Sequence, residues 1–164
     1  MLNKLFKGKK KDKDSIDLDF LRGIPLCYRL RTRELEQLSD FFIQKEFKKD
    51  EIIFREDFPQ VVMYIVKSGR VKLFQDKPEY ELLVAEIMPQ MMFGQLGFFL
   101  DVNRSVTAIA VEDTVLIALN KSDLVNFVKG HSGTGIKLLT NLGRSVTSDL
   151  MREIEILKEY ESKK

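Results

Sequence analysis

Within residues 43–120 the apolar side chains recur at every second position, in runs too short for helices. Successive residues of a strand point to opposite faces, so this period marks half-buried strands. Seven strands are predicted, at 42–47, 52–54, 61–66, 70–75, 80–87, 106–110 and 114–120. They are rich in Val, Ile and Phe and are separated by turn chemistry. The turns are Lys49-Asp50, Asp57-Phe58-Pro59, Ser68-Gly69, Asp76-Lys77-Pro78 and Glu112-Asp113. Short strands at this spacing predict an antiparallel sandwich or barrel. Residues 93–100 break the rhythm and suit one short helix.

On both sides of this region the period is helical. Leu35, Leu38, Phe41 and Phe42 lie three and four apart, behind Thr32 as a possible cap. A shorter helix is predicted from Leu18 to Leu21, and Pro25 separates the two. Ser122 can cap a turn over 123–128 that ends at Gly130 or Gly133. From Thr134 to about Ser162, Leu139, Leu142, Val146, Leu150, Ile154 and Leu157 form one stripe, spaced 3, 4, 4, 4 and 3. Such a helix is roughly 43 Å long, more than a small domain can cover. Its far end needs another partner, and a second copy of the same helix is the simplest one. The alternative is a helix packed on its own domain with a frayed end.

Charge and rare residues remove several function classes. The 164 residues carry 27 Lys and Arg against 25 Asp and Glu, a net of +2. Residues 1–15 hold six Lys and two Asp, so the rest of the chain sums to −2. The tail is expected to be disordered, because it buries almost nothing and its charges repel. The body lacks the basic excess of a nucleic-acid reader, so no nucleic-acid partner is expected. The single cysteine, Cys27, permits no internal disulfide and is read as buried. One histidine, His131, cannot build a His-rich metal site and is read as a solvated loop residue. No catalytic residue and no metal ligand emerge. No apolar run approaches the ~20 residues of a membrane helix, and no signal peptide is visible. A reduced, cytoplasmic compartment is expected.

The order of elements, with two motifs, resembles the cyclic-nucleotide-binding domain family, which includes the effector domain of the bacterial catabolite activator. The resemblance covers about residues 20–160. Tyr64-Ile65-Val66-Lys67-Ser68-Gly69-Arg70-Val71 is similar to the family's strand-Gly-strand hairpin. Phe93-Gly94-Gln95-Leu96-Gly97, followed by Asn103-Arg104-Ser105, is similar to its phosphate-binding cassette, commonly Phe-Gly-Glu-Leu-Ala and then Pro-Arg-Ala. The nine-residue step from Gln95 to Arg104 equals the family's common step. The implied fold is mainly β with flanking helices. It is an antiparallel, jelly-roll-like β-roll with a cassette helix and a long C-terminal helix. The implied organisation is a basic tail (1–15), a cyclic-nucleotide-binding β-roll with N-terminal helices (16–133) and a dimerising helix (134–164).

The cassette's chemistry follows from its residue types. A short helix beginning near Gly94 would turn the N–H groups of Gln95, Leu96 and Gly97 toward an anion. Gly94 and Gly97 would let a phosphate approach the backbone. Arg104 offers a planar cationic fork for phosphate oxygens, and Ser105 a hydroxyl donor. The family Glu accepts from the ribose 2′-hydroxyl, and here Gln95 takes its place as a neutral acceptor. That change costs about 1 kcal/mol, or five-fold in affinity. Asn103 replaces the usual Pro, and Glu56 stands where a turn Gly is common. Val146-Thr147-Ser148-Asp149 is similar to the activator's Val-Thr-Ser-Glu, which makes Thr147 and Ser148 candidate base contacts in a dimer.

The resemblance implies a non-enzymatic regulatory sensor whose ligand is cAMP or cGMP, with no resident cofactor. No residues are seen for a helix-turn-helix reader, so a sensor without an attached output is expected, acting on an output protein not named by the sequence. The implied homodimer uses Leu139, Leu142, Val146, Leu150, Ile154 and Leu157. A second expectation is a degenerate relative that no longer binds nucleotide and serves as an interaction module. A cupin-type catalytic roll would need several His or carboxylate ligands, which one histidine does not supply.

Overall fold

A computed structural model describes residues 16–162. The predicted basic tail therefore lies outside the described residues. Eight strands form two four-stranded antiparallel sheets. They are β1 (Ile43–Phe47), β2 (Ile52–Phe54), β3 (Val62–Ser68), β4 (Val71–Asp76), β5 (Glu81–Ile87), β6 (Met92–Phe93), β7 (Thr107–Ala110) and β8 (Thr114–Asn120). One sheet runs β1-β8-β3-β6 and the other β2-β7-β4-β5. All seven predicted strands are present. The eighth, β6, has two residues and pairs Tyr64 with Phe93 and Ile65 with Met92. Two residues are too few to display a period.

The alternation along β3 and β8 builds two cores. Val62, Tyr64 and Val66 join Leu116, Ala118 and Phe93 inside the roll, against Val71, Ile87, Ala108 and Ala110 of the other sheet. Met63 and Ile65 face outward with Ile117 and Leu119, under the helices. Both faces of the central strands are thus covered, and Val62 through Val66 are all buried. Burying one such Ile or Leu contributes roughly 1.5–3 kcal/mol. β5 lies at a sheet edge and leaves Tyr80, Leu82, Leu83 and Val84 exposed.

The helices are α1 (Leu18–Arg22), α2 (Thr32–Ser39), α3 (Lys121–Gly130) and α4 (Ser132–Ser162), with a 3-10 turn at Pro25–Cys27. Thr32 is the first residue inside α2 rather than its cap. Glu34 instead closes the N-terminus by accepting from the Arg31 backbone N–H at 2.7 Å. Phe41 and Phe42 lie beyond the helix, in the turn that leads to β1. Ser122 does not cap α3 either. Asn120 occupies the N-cap position, and its Nδ2 donates to Asp123 at 2.7 Å. His131 is half-buried rather than solvated, its ring stacked on Phe127 with centroids 4.7 Å apart.

α4 has 31 residues and spans about 46 Å. Only its first half is seated. Leu138 and Leu142 are buried, and Asn141 donates to the carbonyls of Leu26 and Tyr28 at 2.9 and 2.8 Å. Lys137 donates to Glu34 at 2.8 Å, which ties α4 to α2. The predicted stripe therefore divides. Leu142 is in the chain's own core and Val146 is half-buried. Leu139, Leu150, Ile154 and Leu157 stay exposed.

Candidate functional site

Arg104 is the centre of the candidate site. Its backbone is stapled to the preceding turn: its N–H donates to Phe58 at 2.8 Å, and its carbonyl accepts from Asp57 at 2.9 Å. Asn103 makes an isolated bridge with Pro59. The side chain enters the roll and is only 4% exposed. Its Cζ lies 3.9 Å from the centroid of the Phe54 ring, a cation–π contact. Phe54, Tyr64 and Phe93 form an aromatic floor, with Tyr64 and Phe93 stacked at 5.4 Å. Tyr64 and Phe93 open the two motifs read in the sequence, but their place in this floor, and that of Phe54, was not foreseen there.

The guanidinium is incompletely satisfied. Nη2 donates to the Val62 carbonyl. Nε and Nη1 are buried and have no partner among the described residues. Burial lowers the pKa of Arg104 to about 10, which leaves the group charged at neutral pH. A buried cation with two idle donors pays desolvation without full return, and an anion restores that balance. The apolar walls weaken screening and strengthen any ionic contact made there.

Gly94 has φ +76, a conformation that side chains disfavour, and a Cβ there would collide with Arg104 Nη1. The fold thus brings Gly94 and Arg104 together. The 3-10 helix covers Leu96–Phe98 and starts later than the sequence predicts, with Gln95 as its N-cap. Gly97 is closely packed as well. A Cβ on it would meet the Gln60 carbonyl oxygen, so packing against Gln60 already requires its small size. Leu96 is exposed and does not wall the roll interior.

Gln95 is 8% exposed, and its Nε2 donates to Asp149 Oδ2 of α4 at 3.2 Å. A donor amide suits this place better than the family's carboxylate would, because Asp149 is itself an acceptor. Ser105 is exposed, and its carbonyl accepts from Gln75 Nε2 at 2.8 Å. Thr147 and Ser148 are exposed on α4, with the Thr147 hydroxyl bonded to the Gly143 carbonyl at 2.8 Å. Within one chain, then, Gly94, Gln95 and Arg104 gather at the roll, while Thr147 faces away into solvent. Among the described residues no cluster of His, Cys, Asp and Glu is arranged to hold a metal ion. No helix of the described residues is long and apolar enough to cross a membrane.

The described residues thus combine a roll of two antiparallel sheets, a positive-φ glycine beside a buried arginine, and a long helix bonded to Gln95 through Asp149. The family model of the cyclic nucleotide-binding domain matches residues 44–131, and the chain belongs to that family. The cyclic AMP receptor protein of Thermus thermophilus is 29% identical over 110 residues, covering 66% of this chain and 51% of that protein. The chain thus spans about half the length of this relative. The N-terminal domain of a transcriptional regulator from Streptomyces coelicolor superposes with a TM-score of 0.72 at 27% identity, covering 81% of this chain and 95% of that one. A cyclic nucleotide-binding domain from Methylobacillus flagellatus gives a TM-score of 0.78 at 17% identity, covering 87% and 81%. The last likeness is one of fold alone.

Proposed function

We propose that the chain is a regulatory sensor, not an enzyme, and that it binds a 3′,5′-cyclic nucleotide, cAMP or cGMP, at Arg104. The buried guanidinium with two unpartnered nitrogens is the observation that carries this reading. Arg104 takes the cyclic phosphate by charge-assisted bonds, and Gly94 leaves the space that its Nη1 occupies. The N–H groups of Gln95, Leu96 and Gly97 complete the cassette, with Ser105 as a further donor. Gln95 Oε1 accepts from the ribose while Nε2 holds Asp149. Thr147 and Ser148 contact the base once two chains pair along α4.

Residues 16–133 form the ligand-binding unit in this reading, and 134–164 the helix that reports occupancy. Binding reshapes the cassette, and Gln95 passes the change to α4. Leu139, Val146, Leu150, Ile154 and Leu157 join two copies, and a separate output protein reads the dimer. The lone buried thiol of Cys27 suits a reducing cytoplasm.

The interaction-module reading has its own support. Arg104 already engages Val62, Gln95 already engages Asp149, and Gly97 is packed on Gln60. Calorimetric titration with cAMP and cGMP separates the two. Saturable heat at one site per chain supports the sensor. Absence of heat at millimolar nucleotide supports the module.

A further inference from the structure

A separate cavity of about 690 Å³ opens between the first half of α4 and the segment around Pro25–Cys27. It includes neither Arg104 nor any residue of 94–97. Its volume falls in the range of small-molecule sites. Three guanidinium groups line it, those of Arg22, Arg29 and Arg144, and Asp149 is the one carboxylate in the lining. Asp149 is already engaged by Gln95 and by Arg152, at 3.2 and 3.5 Å. Arg22 is paired with the exposed Asp19 and also donates to Thr32. Arg29 and Arg144 have no ion pair among the described residues. Both lie against the half-exposed Tyr28 ring, with Cζ 5.2 and 5.7 Å from its centroid.

Arg144 is held in place rather than free to sweep. Arg144 Nη1 donates to Asn141 Oδ1 at 3.0 Å, and Asn141 is itself bonded to the Leu26 and Tyr28 carbonyls. Arg29 has an uncommon backbone conformation, φ +60, and its exposed guanidinium rests beside the Tyr28 ring. The rest of the lining combines apolar Ile24, Pro25, Met91 and Met92 with Ser145 and Ser148. Guanidinium forks beside apolar side chains recognise an anion with a greasy body.

We propose that this cleft is a second binding site, for a small organic anion that bears a phosphate or carboxylate on an apolar body. The proposal does not depend on nucleotide binding at Arg104. Phenyl phosphate is the probe, since it carries both parts and lacks a ribose, and inorganic phosphate is the control. Backbone amide shifts are followed by NMR in the full chain and in Arg104→Gln. Saturable shifts at Tyr28, Arg29 and Arg144 are expected in both, tighter for phenyl phosphate than for phosphate. In Arg29→Gln and Arg144→Gln the affinity falls about ten-fold each, the loss of one charge-assisted bond, with the melting temperature unchanged. Shifts confined to residues 94–105, shifts lost in Arg104→Gln, or no saturable shift at millimolar probe would each overturn the proposal.

Discussion

Gln95 and Asp149, 54 positions apart in the chain, are joined by a 3.2 Å hydrogen bond from the amide Nε2 to the carboxylate Oδ2. This bond links the cassette directly to the long helix. A carboxylate at position 95 would face Asp149 across this part-buried contact, and the two would repel. Gln95→Glu is therefore expected to lower stability at neutral pH. The repulsion raises the folded pKa of the introduced carboxylate above its unfolded value. The variant's stability deficit is then smallest at acid pH and grows as pH rises through that folded pKa. Thermal unfolding between pH 4 and 8, against wild type and Asp149→Ala, measures it. A deficit independent of pH, or one that persists in the Asp149→Ala background, would refute the account.

A second prediction concerns Glu34. It accepts from the Arg31 backbone, from Lys137 at 2.8 Å and from Thr134 at 3.2 Å. The backbone bond and the Lys137 ammonium hold its pKa below the usual 4.5. A carboxylate lowered in the folded state gives stability that is complete above pH 4.5 and is lost as pH falls through the folded pKa. Glu34→Gln should cost about 1 kcal/mol at pH 7, since the pair is partly open to water. The gap should close in acid. Equal differences at pH 7 and pH 3 in urea unfolding would contradict this.

The distal half of α4 yields a third prediction. Leu150 and Leu157 are 58% and 62% exposed, although they continue the stripe that Leu142 begins inside the core. On the proposed pairing along α4, wild type sediments as a dimer and Leu150→Lys with Leu157→Lys as a monomer. Amide exchange in β3 and β8 should stay slow, because neither residue touches that core. A dimer that survives both substitutions would place the interface elsewhere.

The strands and helices were legible because their periods are local. What the sequence hid depends on contacts between distant residues. β6 is too short to show a period and exists only because Tyr64 and Ile65 offer it a ladder. Thr32 and Ser122 lie inside their helices: Glu34, three residues on, takes the Arg31 N–H, while Asn120 stands at the start of α3 and bonds the Asp123 side chain. Asn141 reads as a polar interruption of an apolar stripe. In the fold it secures α4 by donating to Leu26 and Tyr28, 115 and 113 residues earlier. At the site, the spacing of Gly94 and Arg104 was legible as a motif. The packing of Gly97 on the Gln60 backbone was not, because it joins residues distant in the chain.

The central claim is that Arg104 is an anion receptor and not a packing residue. Arg104→Met keeps the apolar stem and removes the charge. Without ligand it should not lower the melting temperature, because a buried cation with two idle donors is no asset to the fold. With wild type, cAMP or cGMP at a hundred times its dissociation constant should add about 2.7 kcal/mol, a rise of roughly 5–10 °C. Differential scanning fluorimetry of both chains, with and without nucleotide, is the most direct measurement. The account predicts a shift in wild type and none in Arg104→Met. An equal shift in both, or a variant that melts well below ligand-free wild type, would contradict it.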